Sequence, residues 1–223
     1  KIFWMDRENF YAYTGRLQVV PCSVLRYVFD DINLDQSRKF FAAPNRMFDE
    51  VFFFYISSSA TEIDRYVKYN YTENTWDIGS LSRTAWVDFG IHNNPRGAGS
   101  ISGTEVVYVH ENTENDDGSA MNSFIESSDF DIGDGNNFQF ISKIIPDIVL
   151  TGTEAEVDYV LKTRNYPNDS LAIEATATIT ASTQKADVRC RGRTATLKVA
   201  SSTVDTAWTL GDTRVDIRPD GRR

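Results

Sequence analysis

Residues 65–86, RYVKYNYTENTWDIGSLSRTAW, constrain the fold more than any other stretch. Arg65, Val67, Tyr69 and Tyr71 alternate with Tyr66, Lys68 and Asn70, the period of 2 of a strand whose two faces meet different surroundings. Thr72, Glu73, Asn74 and Thr75 supply turn chemistry, and Trp76 opens a second strand that stops at Gly79. A third run at 83–88 follows after a few residues. The local grammar is therefore a three-stranded meander.

The grammar recurs. Residues 9–13, the turn pair Thr14 and Gly15, and residues 16–20 repeat the aromatic strand, turn and strand, with Tyr11 and Tyr13 standing where Tyr69 and Tyr71 stand later. Residues 106–110 lead into a turn-rich stretch at 112–119. The offsets, 58 residues from Tyr11 to Tyr69 and 39 from Tyr69 to Tyr108, are irregular but near the ~40 to 50 residues of a propeller blade. Strand-only meanders at that spacing suggest blades packed around an axis, because each blade's apolar faces need a neighbour on both sides. An ordinary β-sandwich with aromatic strands fits the same alternation.

At 223 residues the chain suits one or two domains and can bury a core. Hydrophobic residues at 41% and charged residues at 25% exclude disorder as the default, and aromatics at 13% favour strands. The sequence opens with Lys1 inside an apolar run, which reads as the last blades of a longer propeller. No apolar run reaches the ~18 to 20 residues that cross a bilayer, so the expectation is a soluble protein.

Cys22 and Cys190 lie 168 positions apart with no second Cys or His near either, so the reading is two buried free thiols, in keeping with assembly in a reducing cytoplasm. The net charge of −9 is uneven. From 183 to 223 there are nine basic residues (Lys185, Arg189, Arg191, Arg193, Lys198, Arg214, Arg218, Arg222, Arg223) against five Asp, which is +4 and leaves −13 for residues 1–182. An acidic body argues against tight nucleic-acid binding. A basic end beside it suits stacking between subunits or onto an acidic partner.

Along the chain, Val24, Leu25, Val28, Phe29 and Ile32 recur at helical spacing, predicting two or three turns over 23–32, and 35–41 predicts a further turn. Residues 48–56, FDEVFFFYI, are apolar without alternation and predict a strand buried on both faces. Residues 91–103 and 112–119 read as exposed loops. Residues 124–132 and 138–145 read as a hairpin closed by Gly133, Asp134, Gly135 and Asn136. After Pro146 aromatics thin out, and short Thr, Val and Ala strands at 156–164, 171–182, 188–201, 207–210 and 213–218 predict a small antiparallel β-sandwich. The expected organisation is all-β: propeller-like blades with a short helical insertion over 1–147, then the sandwich over 148–223.

Chemistry-bearing patterns are weak. Glu126, Asp129, Asp131 and Asp134 fail the EF-hand order, since Gly133 stands at position 5, Asp134 at position 6 and Phe140 at position 12. Asp30 with Asp31, and Asp49 with Glu50, are adjacent on the chain, whereas glycoside hydrolysis needs two carboxylates flanking one bond across ~5 to 10 Å. Glu50, on the apolar strand, is expected buried and paired, with Arg65 or Arg83 as partner. His92 and His110 lack a ligand or triad partner, and no glycine-rich phosphate loop is present. No enzyme is expected, and no cofactor or metal.

Trp4–Tyr13 (WMDRENFYAY), PCSV at 21–24, VFDDIN at 28–33, EVFFFY at 50–55, RYVKYNY at 65–71, RTAW at 83–86, DFDIGDG at 129–135, IIPD at 144–147, RNYP at 164–167, RGR at 191–193 and LGDTRVDIRPDGRR at 210–223 resemble, in order and aromatic pattern, the nozzle proteins of tailed-bacteriophage tails, the group that includes tail tubular protein B and the packaged-DNA stabilisation proteins. The resemblance spans nearly the whole chain and carries no catalytic signature. It implies a propeller with an appended β domain, repeated as a six-fold ring that prolongs the DNA channel of a short tail, with a gating and ejection role. The implied partners are further copies of itself, an adaptor or tail-tube ring, a tail fibre and phage DNA passing through without specific binding. The implied place is the virion tail.

Six copies would carry −54, and an acidic wall lets DNA slide rather than stick. On that reading the loops bearing Glu114, Asp116, Asp117 and Asp134 face the channel or a neighbouring subunit. A different class, a host-surface glycan-binding or polysaccharide-cleaving tail component, would instead present solvent-facing aromatics beside two carboxylates. A sugar-binding propeller module of a bacterial enzyme is a third.

Overall fold

The structure, a computed structural model, describes residues 1–101 and 103–222; the remaining positions of the expected 91–103 loop and of the basic end, Ser102 and Arg223, lie outside them. Helix accounts for 5% of the residues and strand for 52%, all of it in antiparallel sheets, none closed. The chain is all-β. It divides into two compact units, Lys1–Asn112 and Thr113–Arg223.

The first unit contains three sheets in chain order. Strands β1 (Ile2–Met5), β2 (Phe10–Tyr13) and β3 (Leu17–Val20) form the first. A short helix α1 (Leu25–Phe29) and a 3₁₀ turn (Leu34–Lys39) lead to β4 (Phe41–Asn45), β5 (Glu50–Tyr55), β6 (Arg65–Asn70) and β7 (Thr75–Ser80), the second sheet. Strands β8 (Ala85–Val87), β9 (Arg96–Ile101) and β10 (Thr104–Val109) form the third.

The unalternated β5 is buried at every position, as the sequence predicts. Val51, Phe53 and Tyr55 join Phe10, Ala12, Val20 and Val28 in one core, while Phe52 and Phe54 join Ala43, Ile56 and Ile63 in another, with Trp86 packed against it. The β5 sheet is thus the middle layer, with the β1–β3 sheet on one face and the β8–β10 sheet on the other. Indole N–H groups fasten the layers: Trp76 donates to the Pro21 carbonyl at 2.8 Å and Trp86 to that of Pro44 at 3.0 Å.

Three expectations are corrected in this unit. The third run of the meander, β8, pairs with β9 instead of extending the β4–β7 sheet. Trp86 must reach Phe52 and Phe54, on the face of the middle layer, so its strand leaves the layer's plane. The 91–103 segment holds β9, because its Gly97 and Gly99, residues that read as loop, give Arg83 room to lie across the sheet: a Cβ on Gly97 would stand 2.8 Å from Arg83 Cδ. The helix stops at Phe29, since Ile32 bridges Ser57 and the Asn33 N–H donates to the Ile56 carbonyl at 2.8 Å, drawing the chain out as extended backbone.

In the second unit, β11 (Asn115–Asp116) and β12 (Ser119–Ala120) make a small hairpin. The elements that follow are β13 (Ser123–Glu126), β14 (Phe130–Asp131), β15 (Gln139–Ile145), β16 (Ile148–Thr151), β17 (Glu156–Arg164), β18 (Ala172–Thr180), β19 (Ala186–Gly192), β20 (Thr194–Ser201), β21 (Ala207–Leu210) and β22 (Arg214–Pro219). One sheet has the order β13-β20-β17-β18, with β14 also on β20; another has β19-β15-β22; β16 pairs with β21. The two larger sheets face each other across a core of Ile141, Ile144, Val157, Tyr159, Leu161, Ile179, Val188, Cys190, Ala195 and Val199.

The division after Asn112 lies upstream of the expected one after Asp147. Residues 124–145 do not close on themselves as a hairpin: β13 and β14 pair with β20, and β15 with β19 and β22. Gly133, Asp134 and Gly135 all take positive φ (69°, 56° and 70°), a left-handed loop that sends the chain from one sheet to the other. Arg193 fixes this loop by donating to the carbonyls of Gly135 and Asn136. The run at 188–201 likewise splits into β19 and β20 in different sheets. Gly192 packs against Thr163, where a Cβ would come within 2.5 Å, and the Arg193 N–H donates to the Arg164 carbonyl, so the strand breaks there and changes layer.

Candidate functional site

The fold leaves open faces on its outer sheets. Antiparallel pairing in the first sheet aligns Ile2 with Tyr13 and Leu17, and Trp4 with Tyr11 and Val19. Alternation puts these six side chains on the side opposite the core-facing Phe3, Met5, Phe10, Ala12 and Val20. Ile2 and Leu17 are about three-fifths exposed (62% and 61%), Val19 and Tyr13 are exposed as well, and Trp4 stacks on Tyr11 with ring centroids 5.5 Å apart. At the other end of the stack the outer side of the third sheet aligns Val107 with Ala98 and Ala85, and Val109 with Arg96 and Val87. Val87, Val107 and Val109 are exposed. The first sheet thus leaves a contiguous apolar face, whereas on the third Arg96 stands between Val87 and Val109 and Glu105 shares the face with Val107, so that side is mixed.

The inner side of the third sheet is filled. Arg83, buried, lies 3.5 Å from the Tyr108 ring centroid, and its Nε donates to His110 Nε2 at 3.0 Å, so that ring nitrogen acts as the acceptor. His110 in turn packs on Trp86 at 4.6 Å. These four side chains hold the layer together, and none has room for a ligand above Gly97 and Gly99.

Glu50 is buried and paired as expected, but its partner is Lys68, at 2.7 Å, in place of Arg65 or Arg83. The register explains this: Glu50 faces Asn70, and Lys68 lies two residues along the same strand on the same side. Asn45 Nδ2 donates to Glu50 Oε2 at 3.3 Å and to Glu111 Oε1 at 3.0 Å, and Lys68 also stands 3.7 Å from Asp77. Burial pushes the Glu50 carboxyl above the ordinary glutamate range despite the ammonium beside it. Burial opposes the charge on Lys68 too, and the hydrogen bond and charge of Glu50 outweigh it, so Lys68 is held above the usual lysine value. The set is a structural network whose centre, Asn45 and Glu50, is buried and whose outer acids, Asp77 and Glu111, are exposed.

The four acidic loop residues are placed as follows. Glu114, Asp116 and Asp117 sit on or beside the β11–β12 hairpin, and Asp134 in the left-handed loop before β15; all four are exposed. Asp117 (φ 50°) and Gly118 (φ 82°) form the turn, with the consecutive positive φ values of a tight hairpin that glycine accommodates freely. The hairpin's base is fixed by Asn115, whose Nδ2 donates to the Asp205 carboxylate and whose Oδ1 accepts from the Asp205 N–H at 2.8 Å. Among the described residues no ion pair engages Glu114, Asp116, Asp117 or Asp134, and no hydrogen bond joins Asp134 to the other three. Two of the three acids upstream of Asp134 are otherwise employed: Glu126 pairs with Lys162 at 2.6 Å and Asp129 with Arg164. Among the described residues no group of three or more His, Cys, Asp or Glu is placed to hold a metal ion.

Cys22 and Cys190 are both free thiols. Burial pushes each up to about 11. Cys190 belongs to the core and Cys22 is only half-buried, so the expectation of two buried thiols holds for Cys190 alone.

A feature missed in the sequence reading lies on the outer side of the β19-β15-β22 sheet. Phe140 faces Arg191 on one neighbour and Arg218 on the other. Arg218 lies 4.8 Å from the Phe140 ring, and Arg191 and Arg193 lie 3.9 and 4.7 Å from that of Phe138. A depression of about 640 Å³ on this side is lined by Phe140, Ser142, Asp187, Val188, Arg189 and Arg218. The signal was present: Arg189 and Arg191 at a spacing of two on a strand share a face.

In the described residues no helix is long and apolar enough to cross a membrane. Neither protein-family models nor the curated proteins contain a match to this chain.

Proposed function

We propose that the chain is a structural component of a bacteriophage tail, a subunit of a ring-shaped nozzle that prolongs and gates the DNA channel for genome retention and ejection. The observation that carries this reading is the stack of meander sheets in the first unit, layered in chain order and ending on an exposed apolar face at the β1–β3 side. Such a stack is what consecutive propeller blades look like when neighbours are still to be added, and the second unit reads as an appended β-sandwich. A molecule built this way works mechanically, its rigid layers meeting further layers side by side. The partners are other copies of the chain, an adaptor or tail-tube ring and a tail fibre, within the virion tail, and DNA passes an acidic lining without specific binding.

The alternative class is a glycan-binding tail component. It is favoured by the solvent-facing row Trp4, Tyr11 and Tyr13, on which sugar rings could stack. The neighbours on that face are Ile2, Leu17 and Val19, so it lacks the convergent polar groups that orient a sugar, and protein docking is the better account. Electron microscopy of the purified chain, alone and mixed with tail adaptor rings, tests the choice. Rings, or chains seated on adaptor rings, are expected. Single particles that bind oligosaccharide and never the adaptor would overturn the nozzle reading in favour of the glycan one.

A further inference from the structure

We infer that the arginine-bearing outer side of the β19-β15-β22 sheet is a docking site for the acidic β11–β12 hairpin of a second copy of this chain. The inference rests on the side-by-side assembly proposed above and names one of its contacts.

The receiving side is built from three strands. Arg189 on β19 and Arg218 on β22 flank the depression with Phe140 and Ser142 between them. Three acids share this side: Asp220 accepts from Arg191 Nε at 2.6 Å, Asp187, which also lines the depression, pairs with Lys185 at 3.1 Å, and Asp216 accepts from the neutral Ser142 Oγ at 2.9 Å. Arg189, Arg214 and Arg218 form no ion pair among the described residues. Phe140, half-buried under the Arg218 guanidinium, is an apolar floor of the kind found at the centre of an interface, where aromatic and arginine side chains are enriched and lysine is depleted.

The incoming element is the complement. Glu114, Asp116 and Asp117 are three exposed carboxylates within four positions, and no ion pair in the described residues engages them. They ride on a tip whose base is anchored to Asp205, so docking orders little further chain, and a preorganised element loses less affinity to entropy. Carboxylates meet guanidiniums through paired hydrogen bonds, a geometry that lysine does not offer. Acid tip and arginine face are different parts of one surface. A contact between them is therefore heterologous, repeating head to tail and closing into a ring when the rotation permits. The charge division along the chain gives the same direction: the 183–223 segment carries +4 and the rest −13.

Charge reversal tests this on the full chain, with self-association followed by sedimentation velocity at low and high salt. Arg189→Glu with Arg218→Glu, and separately Glu114→Lys with Asp116→Lys and Asp117→Lys, should each weaken association by about tenfold or more. The two sets combined should restore it, and added salt should weaken the wild type. Arg189→Gln with Arg218→Gln, which introduces no new charge, guards against misfolding and should show an intermediate loss. Association that is unchanged in both reversed sets, or not restored when they are combined, would overturn the contact while leaving ring formation standing. A wild type that stays single at every concentration and salt would overturn both contact and ring. Oligonucleotide binding abolished by the Arg189 and Arg218 changes, with self-association untouched, would assign the face to nucleic acid and refute the inference.

Discussion

At the scale of single residues, the buried pair of Glu50 and Lys68 shows how a charge is tolerated inside an aromatic sheet. Glu50→Gln leaves the half-buried Lys68 with Asp77 as its remaining acid, at 3.7 Å, and breaking a buried pair on one side costs about 3–5 kcal/mol. Urea unfolding of Glu50→Gln should therefore show a loss of about that size, and Glu50→Gln with Lys68→Met a smaller one. The pH dependence has a fixed sign. Because Lys68 is held above its unfolded value, its contribution is complete below the ordinary lysine range and is lost as pH rises through the folded value. Lys68→Met should consequently lose less stability than the wild type on going to alkaline pH; an identical alkaline loss would refute the assignment. Tyr55 is simpler: its hydroxyl is buried without a hydrogen-bond partner among the described residues, and burial pushes it up to about 12. Removing an unsatisfied buried group relieves its desolvation, so Tyr55→Phe should raise stability by about 1 kcal/mol in the same assay. That Glu50 would be buried and paired was legible from its place on an apolar strand. The partner was not, because which side of a sheet a lysine serves depends on register.

At the scale of elements, period and turn chemistry located most strands, and their company escaped the sequence. The β2–β3 and β6–β7 hairpins and the doubly buried β5 stand where alternation and apolarity put them. The misreadings cluster at glycines. Gly97 and Gly99 read as loop but lie in β9, and Gly192 read as strand interior but marks a change of layer, since a missing side chain records close packing and chain reversal alike. Gly97→Val is the matching test. Its side chain would enter space held by Arg83 Cδ at 2.8 Å and His110 Nε2 at 2.9 Å. A loss of about 2 kcal/mol or more by thermal or urea unfolding is expected, from overpacking on a residue held by Tyr108. A stability equal to wild type would mean that Arg83 does not lie across β9. The arginine face had a readable period as well, but the three strands that assemble it come from sequence positions about 30 to 80 apart, and pairing across that distance leaves no local trace.

At the scale of the whole molecule, the all-β character followed from composition and alternation, whereas the division after Asn112 did not. The shift in composition after Pro146 marks a change of residue usage, and the unit boundary is set by β13 and β15 pairing with later strands. The central claim is that the exposed side of the β1–β3 sheet is covered in the assembled state by another protein layer. Sedimentation velocity of the wild type against Leu17→Glu with Val19→Glu tests it most directly, since both side chains point to solvent and away from the core. The account predicts concentration-dependent association of the wild type, and a variant that associates about tenfold or more weakly with the same circular dichroism and unfolding midpoint. Association of equal strength in the two proteins, or its absence from both, would contradict it.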